Sequence, residues 1–382
     1  MAKLLKVLAV GDPAVEAYAC EKYGIISGYE SLTGVKVAFD IASWDKYYST
    51  MMEAFEGKES YDIVMVAGHL WSADFVSKGY ISEVDYSLSP DFDTPDILPV
   101  IMDEMKVGGK PYLYPSFCDG HMILYRKSIV EKLVGHLPGE VITADELIEL
   151  VKAVDGYNGL SGIVIKAAQS EIFLDALPYI RSEGVKIFDP QTHRPDFNNE
   201  KGIAGLEKYL SLRKYAPQDT CNYGNEEVCE AIRSKKTVFA VTWGGQLGQV
   251  MNDKCIEPED IGFSTFDTAW NVTWSFAINK GTELREEANR LLAYLSGKQT
   301  DRIVGEYAGA PVRRSSYEAD KNRFTWYPVL YSMISNCAEM LPKMENAGSK
   351  MGHLYETISQ AFTNKITAAE AIDKAEKSIL QE

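Results

Sequence analysis

The chain has 382 residues, too many for one ordinary core, so two domains are the natural expectation. Hydrophobic residues make up 46% and charged residues 25%, which is globular usage and argues against disorder. A formal net charge of -16 disfavours nucleic acid or an anionic membrane surface as the main partner, because phosphate recognition needs clustered Lys and Arg.

The opening MAKLLKVLAV imitates a signal peptide. Its apolar stretch stops at Gly11-Asp12-Pro13 with no small-residue cleavage site after it, so it reads as a first strand. Met1-Ala2 is compatible with a start appended to a mature chain, which leaves the compartment open. No run reaches the roughly 18 apolar residues that span a bilayer. None of the six cysteines (Cys20, Cys118, Cys221, Cys229, Cys255, Cys337) forms a C-x-x-C pair, which argues against zinc ribbons and thioredoxin-like sites. Free, mostly buried thiols are expected, with a Cys221–Cys229 bridge as the alternative.

In chain order, Leu4–Val10 has strand length and composition. Asp12 can cap a helix whose first residue is Pro13, where a missing N–H costs nothing. Gly34 ends that helical segment. Strand 35–41, helix 45–55 and strand 62–66 come next, and two successive βαβ units imply parallel strands. Leu113–Tyr125 and Gly262–Ala277 read as long extended stretches. Thr143-Ala144-Asp145-Glu146 and Thr367-Ala368-Ala369-Glu370 are capping boxes that open helices. Gly162–Ala168 and Thr237–Trp243 are strand-like, and Thr282–Ser296 is helical. The acidic run Ser89–Asp96 lacks the central Gly and terminal Glu of a calcium loop and reads as a solvated turn. With no Pro/Gly/Ser linker, the two extended stretches are the expected crossings between lobes, a hinge that bends but resists twisting.

Six phrases in order then resemble the extracellular solute-binding proteins of bacterial sugar ABC importers, the group that includes maltose-binding protein. They are SLTGVKV at Ser31–Val37, SYDIVMVAGHLWSADFVSKGYISEVD at Ser60–Asp85, VGGKPYLYPSFCDGHMILYRKSIVEK at Val107–Lys132, TADELIEL, NEEVCEAIRSKKTVFAVTWGG at Asn225–Gly245, and EEANRLLAYLSGKQTD. Ser128 and Ser234-Lys235-Lys236 depart from the usual pattern. The resemblance covers nearly the whole length. It implies an α/β fold of two lobes joined by crossing strands with a ligand cleft between them (periplasmic-binding-protein-like, type II). The first lobe would be 1–117 plus 264–312 and the second 118–263 plus 313–382. It further implies an extracytoplasmic, monomeric carbohydrate receptor, periplasmic or lipid-anchored, that closes on a sugar and passes it to the membrane permease subunits of an ABC importer. No cofactor or metal is implied.

A sugar offers C–H faces and edge hydroxyls, so its receptor needs flat aromatics together with carboxylates, amides or guanidinium. In open α/β sheets such groups gather beyond the carboxyl ends of strands. Asp12, Trp44, Asp45, His69, Trp71, Asp119, His121, Gln169, Trp243, Gly244, Gly245, Trp270, Trp274 and Arg313 fall at strand ends or crossings, and Tyr355 lies on a late helix. Each has a bland rival. A tryptophan is more often core than ligand, Asp12 is a helix cap in either case, His121 can serve a core hydrogen bond, and Arg313 can form a salt bridge. Trp326 reads as packing.

No G-x-S-x-G elbow, H-E-x-x-H, P-loop or G-x-G-x-x-G is present, and the five histidines (69, 121, 136, 193, 353) show no metal spacing. The serious rival is a glycoside hydrolase drawing a carboxylate pair from Asp12, Asp45 and Asp119. A polyamine or other small-solute receptor on the same fold is a third reading.

Overall fold

The computed structural model describes residues 3–382; Met1 and Ala2 lie outside the described residues. The chain forms two compact units, Met1–Asp119 with Val272–Tyr327, and Gly120–Asn271 with Pro328–Glu382. The sequence-based division places the three boundaries at 117/118, 263/264 and 312/313.

The first unit is built on four strands in the order Lys36–Ala42, Leu4–Val10, Ile63–Ala67 and 272–278. The first three run parallel, with Leu4 opposite Lys36, Val10 opposite Ala42 and Val7 opposite Ile63. The last runs antiparallel, with Trp274 opposite Ala67 and Ile278 opposite Ile63. Ile63–Ala67 is fully buried, as a central strand covered on both faces should be. The Tyr47 hydroxyl stitches this sheet to the helix Trp44–Phe55: it donates to the Met65 carbonyl at 2.6 Å and accepts from the Met65 N–H at 2.8 Å. Asp12 caps the helix Pro13–Ala19 as expected, and Gly34 ends the next helix at φ 72, its N–H bonded to the Glu30 carbonyl.

The second unit carries Ser161–Val164, Thr237–Trp243, 120–126, Ile261–Phe266 and Val141–Ile142 as neighbouring strands. The central 120–126 segment is antiparallel to both neighbours, pairing His121 with Trp243 and Arg126 with Ile261. Helices Ile172–Arg181, Glu200–Ser211, Ala347–Phe362 and Ala368–Ile379 pack together in this unit. Arg126, fully buried, donates to the carbonyls of Ile232, Arg233, Ile256 and Glu257.

Several local expectations need correction. The 262–277 stretch is two strands, Ile261–Phe266 and Asn271–Ile278, because it turns at 267–270. The 162–168 strand stops at Val164, and Lys166 inside that run points to oxygens rather than along a ladder. The Thr143 box is half formed: Thr143 accepts from the Glu146 N–H, whereas both halves of the Thr367 box are present. Ser89–Asp96 is not a solvated turn. Phe92 is buried, and Asp96 pairs with the buried Arg313 at 3.3 Å. All six cysteines are free. No described helix is long and apolar enough to cross a membrane.

A close helix approach sits at Gly205, where an added Cβ would lie 2.5 Å from the Ile180 Cα and 2.8 Å from the Tyr179 carbonyl oxygen. Alanine normally gains about 1 kcal/mol over glycine inside a helix. Here the two backbones must separate, so Gly205→Ala is expected to destabilise the protein by about 1–3 kcal/mol. Urea or thermal melting checks this, and a variant at least as stable as wild type contradicts the packing.

Candidate functional site

In the first unit the carboxyl ends of three adjacent parallel strands each lead into a polar or aromatic residue. Val10 is followed within two residues by Asp12, and Ala42, its register partner, by Trp44. Ala67 leads into the helix Gly68–Ser77 with His69 and Trp71, and Trp274 sits opposite Ala67. The shared register therefore brings these residues to one edge of the sheet. There Trp44 stacks on Trp71 at 5.9 Å, and Trp274 meets both edge-on at 6.0 and 6.2 Å. Tyr48 flanks Trp71 at 5.6 Å, and Phe117 stacks on Trp274 at 6.3 Å. Trp44 and Tyr48 are each 47% exposed, so this aromatic wall is open to solvent on one side.

Three carboxyl groups predicted for the site, Asp12, Asp45 and Asp119, belong to the same unit. Asp12 accepts the Ala14 N–H at 2.9 Å and thereby caps its helix. Burial, reinforced by the negative charge of the buried Asp119, raises the Asp12 carboxyl well above the usual carboxylate range. Two carboxyl groups so placed can hydrogen-bond to hydroxyl groups. Asp45 is different: it is exposed, and the Ser43 hydroxyl lowers its pKa. Burial drives His69 down to about 3, so its ring is neutral.

The second unit holds a separate cluster at the end of the strand Thr237–Trp243. Trp243 is 5% exposed and donates its indole N–H to Glu171 at 3.2 Å. His121 and Trp270 meet its ring at 4.8 and 5.5 Å. The Lys166 ammonium stands 3.8 Å from the ring centroid. Gly244 and Gly245 form a buried 3-10 turn directly after Trp243. Both ring nitrogens of His121 are engaged: Nδ1 accepts the Trp270 N–H at 3.2 Å, so Nε2 carries the proton and donates to the Leu174 carbonyl at 2.8 Å. Burial and the nearby Lys166 hold that imidazole neutral. Gln169 is exposed just before the helix Ile172–Arg181. Tyr355 is half-buried, edge-on to Phe173 at 5.4 Å.

Arg313 stands apart from both clusters. It is fully buried in the first unit and donates to the carbonyls of Ser296, Asp93 and Phe92 and to the Asp96 carboxylate. Trp326 is buried and donates to the Gly309 carbonyl at 2.8 Å, a packing role. Sequence reasoning missed Lys166, Glu171 and Tyr48. A lysine inside the apolar GIVIKAA run is the signal for the first, and the four-residue spacing from Trp44 is the signal for Tyr48. Glu171 carries none beyond its place before an apolar helix. No group of three or more His, Cys, Asp or Glu side chains among the described residues is placed to hold a metal ion.

The family model described as "Bacterial extracellular solute-binding protein" matches residues 9–301. A mannitol-binding protein of Pseudomonas aeruginosa is 22% identical over 356 residues, covering 84% of this chain and 79% of that one. A probable ABC transporter-binding protein of Deinococcus radiodurans is 24% identical over 331 residues, covering 81% and 78%. Among solved structures, maltose-bound MalE3 of T. maritima superposes with a TM-score of 0.86 at 20% identity over the full length of both chains. A solute-binding protein of Agrobacterium vitis with bound D-mannitol gives 0.84 at 20% identity, covering 100% of this chain and 98% of that one. These likenesses carry the two-lobed α/β fold.

Arg313 leans on a second buried carboxylate whose titration is measurable. Asp301 accepts the N–H groups of Val312 and Arg313 and the Ser316 hydroxyl. Burial nevertheless pushes it up to about 6 from the ordinary 3.8. Between those values the native state binds more protons than the unfolded state, so stability from this group falls as pH rises. The loss is on the order of 3 kcal/mol, complete above the folded pKa. Denaturant melts at stepped pH should show that slope in wild type and a shallower one in Asp301→Asn. Identical slopes contradict the assignment.

Proposed function

The chain belongs to the bacterial extracellular solute-binding proteins, and from that premise we propose that it is an extracytoplasmic receptor that captures a sugar or polyol and delivers it unaltered to the permease of an ABC importer. The observation that carries this reading is the aromatic wall of Trp44, Trp71 and Trp274, open to solvent at Trp44, at the same sheet edge that bears Asp12. Indole faces suit the C–H faces of a sugar, and the Asp12/Asp119 pair suits its hydroxyls. Within the second unit, Trp243 and Glu171 are an indole and a carboxyl group already joined, the same kinds of group that suit a sugar. Relatives named for mannitol, ribitol, tagatose and maltose support a polyhydroxylated ligand. The protein works as a monomer and needs no cofactor.

One feature favours a second reading. An Asp12 carboxyl raised by burial and by the neighbouring Asp119 resembles one of the paired carboxyls of a glycosidase. Incubation with maltose and longer oligosaccharides distinguishes the two, since hydrolysis products would make the protein an enzyme.

A ligand that binds only the native state raises the melting temperature. Thermal shift against D-mannitol, ribitol, D-tagatose, maltose, spermidine and putrescine is expected to respond to at least one polyhydroxylated compound and to neither polyamine. For that compound, Trp44→Ala and Asp119→Asn should each weaken calorimetric affinity by about 1–3 kcal/mol. Wild-type affinity in both variants rejects the site, and a response to polyamines alone rejects the ligand class.

A further inference from the structure

Lys166 is an expensive residue for the second unit to keep. Its side chain is fully buried, as is its ion-pair partner Asp175, 3.2 Å away. Removing two charges from water costs several kcal/mol per ion, and such pairs are often no more stabilising than apolar residues of similar size. A purely structural pair would have its three ammonium protons satisfied by oxygen. Lys166 donates to the Val241 carbonyl at 3.2 Å and pairs with Asp175, but its remaining side faces the Trp243 ring at 3.8 Å. That ring donates its N–H to Glu171, and Asp175 is in turn held by the Tyr209 hydroxyl at 3.1 Å. One buried cation therefore touches, directly or through one bond, the indole and the carboxylate assigned above to the ligand.

Resting on that assignment, we propose that Lys166 is a positioning residue: its ammonium fixes the plane of the Trp243 indole and thereby places the Glu171 carboxyl, held by the indole N–H, to accept from ligand hydroxyls. A cation over an aromatic face is worth more when desolvated, as here. Glu171 sits where burial pushes its carboxyl up and Lys166 pulls it back. The other groups facing this cluster are Asp175 on the helix Ile172–Arg181, His121 on the central strand, Cys229 on the helix Asn225–Arg233, and Tyr355 on the helix Ala347–Phe362. Burial holds His121 neutral and raises the Cys229 thiol and the Tyr355 phenol, so none of these three supplies a second positive charge near neutral pH.

The test compares wild type, Asp175→Asn and Lys166→Met/Asp175→Asn, the last removing both charges together. Lys166→Gln/Asp175→Asn replaces it should the methionine variant not fold. The full-length proteins carry 15N-labelled tryptophan, and Trp243→Phe identifies the Trp243 indole resonance. The step in that resonance caused by Glu171 titration is expected to lie about one pH unit or more higher in the double variant than in Asp175→Asn, where loss of a nearby negative charge moves it slightly down from wild type. Calorimetry with D-mannitol, ribitol, D-tagatose and maltose should show about tenfold weaker binding at pH 7 for the double variant, partly recovered at pH 9, and near wild-type binding for Asp175→Asn. Equal binding by both variants, with the titration step unmoved, overturns the proposal. Wild type that binds none of the four compounds removes the receptor reading instead, and the indole titration alone then decides the role of Lys166.

Discussion

A buried cation must be surrounded by oxygen, and much of this molecule is arranged around meeting that demand. Each unit buries an arginine whose guanidinium gathers main-chain carbonyls from segments distant in sequence. Arg313 collects Phe92, Asp93 and Ser296, and Arg126 collects Ile232, Arg233, Ile256 and Glu257. Carbonyls left over at turns and helix ends are costly when buried without a donor, and a planar fork with five N–H groups can satisfy several at once. Replacing either arginine would orphan several acceptors together. The loops that these side chains tie down are thus as fixed as the strands.

The same desolvation that makes cations gather oxygens makes carboxylates give up charge. Asp12, Glu171, Asp175 and Asp301 are all raised by burial, although Glu171 and Asp175 each have Lys166 nearby. A surface rich in exposed acid keeps the protein soluble, whereas the acids near the aromatic clusters are few and partly neutralised. That distribution suits an uncharged ligand with many hydroxyls better than a polycation, which would favour a ring of fully ionised carboxylates.

Much of the architecture was legible from residues alone, because the governing signals are local. Asp12-Pro13 announces a helix start, Gly34 a helix end, and Thr367 with Glu370 a closed cap, and each appears as read. The tryptophans were legible too, since register carries Val10 and Ala42 to one edge and sets the residues just beyond them side by side. Long-range commitments were not. Arg313 comes just after a Gly-Ala-Pro turn and reads as available, yet its partners lie more than 200 residues earlier in the chain, in Phe92, Asp93 and Asp96. Those partners make the acidic Ser89–Asp96 run a socket rather than a turn. His121 reads either as a ligand candidate or as a core hydrogen-bonding group, and its two nitrogens hold the Trp270 N–H and the Leu174 carbonyl. Tertiary hydrogen bonding leaves no periodic trace, so such residues look alike in sequence whether they are engaged or available.

The fourth strand of the first unit has a temporal consequence. Residues 272–278 close the edge beside Ile63–Ala67, yet the ribosome makes them only after the whole of Gly120–Asn271. At about 5–20 residues per second, the strand Ile63–Ala67 waits roughly 10–40 s with that edge unpaired. A nascent chain cannot complete its first sheet during this interval. An unpaired edge is a template for pairing with another chain, so until residues 272–278 are made the first sheet carries a hazard that the finished fold removes.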